Sequence, residues 1–189
     1  MKNLLDKIIA LELDMFLTVP AKDSYTCRQD PEAFRLHRRA QFSIWSEDTL
    51  QSYCNDLHQA QKNGINLMTV KYARMDNLLP TQHRSPLISD IVSIQVGWQR
   101  KMLQKYPHLM AGARHIRETD TSTYTTSFEA YLRSELETYS ENTLELLHRD
   151  MLMYVKRGVN GSKKIYEYLV HEMGYRSIEE ADQVLQFGF

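Results

Sequence analysis

Five charged side chains, Glu12, Arg38, Lys71, Arg74 and Glu135, fall inside apolar stripes where a helical protein ordinarily places Leu or Ile. Projected at about 100° per residue, Glu12 lies among Leu5, Ile8, Ile9, Met15 and Phe16, and Arg38 lies among Phe34, Gln41, Phe42 and Trp45. Lys71 and Arg74 fall among Leu67, Val70, Met75 and Leu78, and Glu135 falls beside Phe128, Leu132 and Tyr139. A lone buried charge is costly, so such groups pair with one another or line a wet cavity that takes a polar ligand. In a cavity, three cations against two or three carboxylates suit an anionic or zwitterionic small molecule, which the fork of Arg38 can clamp by a carboxylate or phosphate.

The ligand-binding candidates are therefore Glu12, Arg38, Gln41 and Arg74. Lys71 and Glu135 are candidate acid or base groups, and Tyr139 is a candidate hydrogen-bond donor. Gln95 and Asp150 complete the inward polar set. The competing reading makes the charges internal salt bridges that fix helix register, and the protein an interaction or accessory module. A concave pocket marks the first class; filled packing around paired charges and an exposed apolar patch elsewhere mark the second.

Other chemistries are poorly supported. Glu145 and His148 form one Glu-x-x-His pair, whereas a carboxylate-bridged di-iron bundle uses two, and the projection turns this pair away from the apolar face. No zinc spacing, Walker A loop, Gly-x-Gly-x-x-Gly or Gly-x-Ser-x-Gly occurs. No metal and no cofactor is implied. Cys54 shares a stripe with Leu50 and Leu57 and reads as core. Cys27 precedes a helix N-terminus that lowers a thiol pKa, but no sequence-local His supplies a base, so a nucleophilic role is disfavoured.

The elements that must position these groups are legible from helix punctuation. Lys2 onward gives an amphipathic first helix; Asp6, Glu12 and Asp14 interrupt any signal-peptide character. Asp30 caps a second helix with Pro31 at its first position, running to about Trp45. Ser46 caps a third that ends at Gly64, a fourth runs from Asn66 to about Leu79, and Pro86 opens a fifth through Lys105. The Thr- and Ser-rich run Glu118 to Thr126 reads as a loop. Thr126 and Glu129 have capping-box spacing, and with no Gly or Pro before Gly158 one spine helix of about thirty residues is expected. Ser162 opens a further helix ended by Gly174, and Ser177 with Glu180 caps a last one. The fold class is all-α, an irregular multi-helix bundle. No internal repeat is apparent, which argues against a helical solenoid.

Composition agrees with one helical domain over residues 1–189. A chain of this length buries roughly 70% of its unfolded surface. With 23 Lys plus Arg against 24 Asp plus Glu, the net charge of -1 offers no basic excess for nucleic acid. No apolar run reaches the roughly 18 residues that cross a membrane. Two cysteines make no disulfide framework, so a reducing cytoplasm is the expected setting.

The strings LELDMF (Leu11 to Phe16), CRQDP (Cys27 to Pro31), VKYARM (Val70 to Met75) and YLRSELETYS (Tyr131 to Ser140) resemble an uncharacterised bacterial all-helical family of unknown function. The resemblance covers most of the chain. It implies a compact single domain and, because some members are joined to a nucleotidyltransferase-like domain, association with a nucleotidyltransferase-like partner. It also implies one constellation of Cys27, Arg38, Lys71, Tyr72, Arg74, Glu135 and Tyr139, which adds Cys27 to the ligand-binding candidates. The departure lies between Phe16 and Cys27, where the family implies a Gly-rich run and this chain has VPAKDSYT after Thr18.

Overall fold

The computed structural model describes residues 2–20, 30–80, 85–117 and 126–187. Among them are nine helices and no strand: α1 (Lys2–Leu17), α2 (Pro31–Phe42), α3 (Glu47–Lys62), α4 (Leu67–Met75), α5 (Pro86–Lys105), α6 (Phe128–Leu136), α7 (Glu141–Lys156), α8 (Gly161–Glu172) and α9 (Ile178–Gln186). Side-chain caps start most of them. Asp30, Ser46, Asn66, Ser127, Ser140, Asn160 and Ser177 each accept from the amide three residues on.

The expected spine helix is two helices. The longest helix is instead α5, with 20 residues. Between α6 and α7, Thr138 Oγ1 donates to Glu135 O at 2.7 Å, Tyr139 N–H bonds Leu136 O, and Ser140 caps α7 by accepting from Thr143 N–H. Hydroxyl side chains that bond the backbone break a helix without Gly or Pro. Other boundaries also move: α2 ends at Phe42 rather than near Trp45, α6 is capped by Ser127 rather than Thr126, α4 ends at Met75, where Asn77 adopts a left-handed conformation (φ 56°), and α8 is capped by Asn160 two residues before Ser162.

A repeat that pattern reading missed organises the bundle. SEDTL at Ser46 to Leu50 recurs as SENTL at Ser140 to Leu144, and at the same spacing of 94 residues Asp56 matches Asp150, Lys62 matches Lys156, Gly64 matches Gly158 and Asn66 matches Asn160. The backbone repeats too. Gly64 and Gly158 take φ of 69° and 65°, the left-handed region that glycine enters without penalty. Ile65 N–H bonds Ala60 O at 2.8 Å, and Val159 N–H bonds Tyr154 O at 2.9 Å. Asn66 donates to Met15 O on α1, and Asn160 donates to Trp98 O on α5.

Helix packing follows the same two-fold pattern. Helix α1 packs on α2, α3 and α4, as α5 packs on α6, α7 and α8; α3 packs on α7; and α2 packs on α8 as α6 packs on α4. The chain is thus a duplicated four-helix unit with α9 appended to α8. One difference between the halves explains another: Trp98 stands where α1 has Met15, and Gly161 stands where α4 has Leu67. A Cβ at Gly161 would fall inside the Trp98 indole.

The two halves share a core of Ile8, Ile9, Leu50, Leu57, Ile91, Leu136, Leu144 and Leu147, all almost fully buried. A smaller cluster of Met102, Tyr106, Met110, Val170 and Ile178 seats α9. Helices α3 and α7 cap one another. Asp150 of α7 accepts from Ser46 N–H and Thr49 Oγ1 at the start of α3 (2.8 and 2.6 Å). Asp56 of α3 accepts from Ser140 N–H and Thr143 Oγ1 at the start of α7 (3.0 and 2.6 Å). Asp150 is therefore a cap, apart from the other inward charges. No helix among the described residues is long and apolar enough to cross a membrane.

Candidate functional site

The sequence-derived charges meet where the two halves join. Glu12 on α1, Arg38 and Gln41 on α2, Lys71 on α4 and Glu135 on α6 form one buried network. Arg38 grips Glu12 with both fork edges, Nε donating to Oε2 at 2.7 Å and Nη2 donating to Oε1. Its remaining nitrogen, Nη1, donates to Gln41 Oε1 (2.6 Å) and to Glu135 Oε1 (3.0 Å). Lys71 Nζ donates to Glu135 Oε2 at 2.6 Å, and the Tyr139 hydroxyl donates to Glu135 Oε1 at 2.7 Å. Gln41 and Glu135 are equivalent positions of the repeat and bond each other at 3.3 Å.

Two carboxylates balance two cations, and aromatic rings close the space around them. Arg38 stacks on Phe42 with its guanidinium 4.6 Å from the ring centroid, and Lys71 Nζ stands 3.7 Å over Tyr131. Phe42, Trp45, Tyr53 and Tyr139 pack in T-shaped and tilted contacts beside these charges. The Tyr53 hydroxyl donates to Glu12 Oε1 at 2.6 Å. Projection missed Tyr53 because its ring belongs to the α3 apolar stripe and only its hydroxyl does polar work. Gln95, the counterpart of Glu12 on α5, is half-buried and has no hydrogen bond to this network.

The electrostatics follow from burial opposed by pairing. Burial by itself raises the Glu135 carboxyl, but Arg38 and Lys71 outweigh it and hold the group well below the ordinary carboxylate range. Burial lowers Lys71 and Arg38, yet the carboxylates facing them leave both raised. Tyr53 and Tyr139 are pushed well above an ordinary phenol by burial and then by Glu12 and Glu135. A depressed carboxyl stabilises the fold above its unfolded value and loses that contribution as pH falls below it; raised groups lose theirs as pH climbs past their unfolded values. Stability set by the network is therefore expected to be flat between about 4.5 and about 10, the ordinary Glu and Tyr values. It falls on the acid side through Glu135 and on the alkaline side through Tyr53, Tyr139 and Lys71. Urea midpoints against pH check this: Tyr139→Phe should flatten the alkaline fall, and an unchanged slope would contradict the assignment.

Arg74 stands outside this closed set. Its side chain is 10% exposed, its Nε lies 3.5 Å from Glu137 Oε2, and neither Nε nor Nη1 has a hydrogen-bond partner although both are buried. It lines a cleft of about 440 Å³ between the end of α4 and α6, with Arg133, Ser134, Glu137, Leu78 and Leu79. Glu137 and Arg133 were not singled out from sequence, because with Ala130 and Ser134 they form a stripe of α6 that is not apolar, so a charge there interrupts nothing. At the equivalent junction of α8 with α2 the repeat has Tyr168 for Arg74, Ala40 for Ser134 and Ser43 for Glu137.

The remaining candidates lie apart. Cys27 falls outside the described residues. Cys54 is buried, and burial pushes its thiol up. Glu145 is exposed and His148 lies 4.0 Å from Asp90. Among the described residues no group of His, Cys, Asp or Glu is placed to hold a metal ion.

Residues 2–183 match the model of a family described as "Protein of unknown function (DUF4125)". The chain belongs to that family. The match spans both halves of the repeat, so the family unit is the duplicated bundle, with both network and cleft inside it. No curated protein and no solved structure matches the chain.

Proposed function

We propose that this family member binds a small anionic molecule in the α4–α6 cleft, with Arg74 as its anchor. The observation that carries the reading is the Arg74 side chain: it lines a cleft of ligand size, and two of its guanidinium nitrogens are buried without a hydrogen-bond partner. Buried polar groups in proteins are almost always paired, and each unpaired one costs about 1–3 kcal/mol. An anion delivered to Arg74 offsets part of that cost.

In this reading Glu12, Arg38, Gln41, Lys71, Glu135 and Tyr139 form the scaffold. Their hydrogen bonds go to one another, and rings fill the space a substrate would need. Lys71 and Arg74 lie one helical turn apart on α4, so the network holds the turn from which Arg74 reaches the cleft.

A thermal-shift panel of carboxylates, phosphates and sugar phosphates tests the reading. A ligand at 100 times its dissociation constant adds about 2.7 kcal/mol, and each kcal/mol moves the midpoint by about 2–4 °C at this chain length. The shift should vanish in Arg74→Met and survive in part in Arg74→Lys, which keeps the charge without the fork. A shift of full size in Arg74→Met would refute the anchor.

A second reading, a helical accessory to a nucleotidyltransferase-like protein, draws on Leu152, Met153 and Val155, which are exposed on the last turns of α7. Under it, Leu152→Asp with Val155→Asp abolishes partner binding and leaves the ligand shift intact.

A further inference from the structure

We propose that the ligand of the α4–α6 cleft is a monocarboxylate with an apolar body; this rests on the anion-binding reading above and names its chemical class.

Charge sets the first limit. The ionisable groups lining the cleft are Arg74, Arg133 and Glu137, a net single positive charge that one carboxylate neutralises. A doubly charged phosphate ester overshoots that balance and brings a second negative charge towards Glu137, which is 7% exposed and already faces Arg74. Arg133 is partly committed as well, with Glu129 at 3.7 Å one turn back on α6. One planar carboxylate beside Arg74 is the anion that this charge balance accommodates best.

The rest of the wall sets the second limit. Met75, Leu78, Leu79, Pro80 and Ala130 supply apolar surface beside the guanidinium. Leu78 is 74% exposed and Leu79 43% exposed, an unusual state for two adjacent leucines at the mouth of a cleft. The left-handed Asn77 sets their position: it turns the chain off the end of α4, and Leu78 N–H closes back on Ala73 O at 2.8 Å. An apolar ligand body covers these side chains; an inorganic anion leaves them in water.

The duplication supplies an internal comparison. The equivalent stretch at the end of α8 reads Glu172, Met173, Gly174 where α4 is followed by Leu78, Leu79, Pro80, and Tyr168 stands for Arg74. At that junction the guanidinium is missing and the apolar mouth is reduced to Met173, 61% exposed where α4 is followed by Leu79.

Isothermal titration of the full chain with acetate, butanoate and hexanoate, with hexanamide as the uncharged counterpart and inorganic phosphate as the competing anion, tests the class. Affinity is expected to rise by about fourfold per added methylene, and hexanamide is expected to bind at least tenfold more weakly than hexanoate. Leu78→Ser, at an exposed position that the fold tolerates, should flatten the series and leave acetate unchanged. A flat series in the wild-type chain, or phosphate binding more tightly than hexanoate, overturns the proposed class while the Arg74 anion site stands. Absence of binding by every anion overturns both.

Discussion

Arg38→Met is expected to destabilise the fold by about 3–5 kcal/mol, the cost of breaking a buried ion pair by removing one partner. Glu12 would keep only the Tyr53 hydroxyl, and Glu135 would rely on Lys71, Tyr139 and Gln41. Both carboxylates are buried, so water cannot replace the fork. Out of a total of about 5–15 kcal/mol this is a large fraction. The neighbouring residue is the control: Arg39 pairs with Asp6 on the surface, and Arg39→Met should cost no more than about 1 kcal/mol. Urea unfolding of the two variants decides the matter, and similar small losses would mean the network carries little of the stability.

Asp150→Ala is expected to cost about 2–4 kcal/mol. The carboxylate holds Ser46 N–H and Thr49 Oγ1 at the positive end of α3, and its loss leaves two donors without that partner. Asp56→Ala removes the equivalent bonds at α7, but Asp56 is more exposed and water can substitute, so a smaller loss is expected. Equal losses would indicate that cap geometry outweighs burial. A cost under about 0.5 kcal/mol for Asp150→Ala would remove the reciprocal caps from the account of how the halves hold together.

Much of this architecture is legible in the residues. Asp30-Pro31, Ser46, Asn66 and Ser177 mark helix starts because short oxygen side chains satisfy the first free amides. Glu12, Arg38, Lys71 and Glu135 were identifiable as partners because each interrupts an otherwise apolar face, and all four lie in one network. Projection cannot separate a closed network from a cavity. That distinction depends on how Tyr53, Tyr131 and Phe42 fill space, and ring positions carry no periodic signal.

The spine helix failed for a readable reason. SENTL at Ser140 is the same helix start as SEDTL at Ser46, and recognising the repeat locates the break before α7. The halves diverge elsewhere, with Met15 against Trp98 and Leu67 against Gly161, so the likeness stays hidden until the backbone superposes the caps and the left-handed glycines. Arg74 stood out by its stripe position, but the partners that make a cleft of it, Glu137 and Arg133, sit on a stripe of α6 that is not apolar, where a charge is ordinary.

The central claim is that the interior charges are closed and structural while the ligand is taken by the adjacent cleft. The most direct measurement is an anomalous difference map from crystals grown with 4-bromobenzoate, whose carboxylate and bromine mark head and body. The carboxylate is expected on Arg74 and the bromine against Leu78 and Leu79. A bromine peak among Arg38, Lys71 and Tyr139, or none in the α4–α6 cleft at saturating ligand, would contradict it.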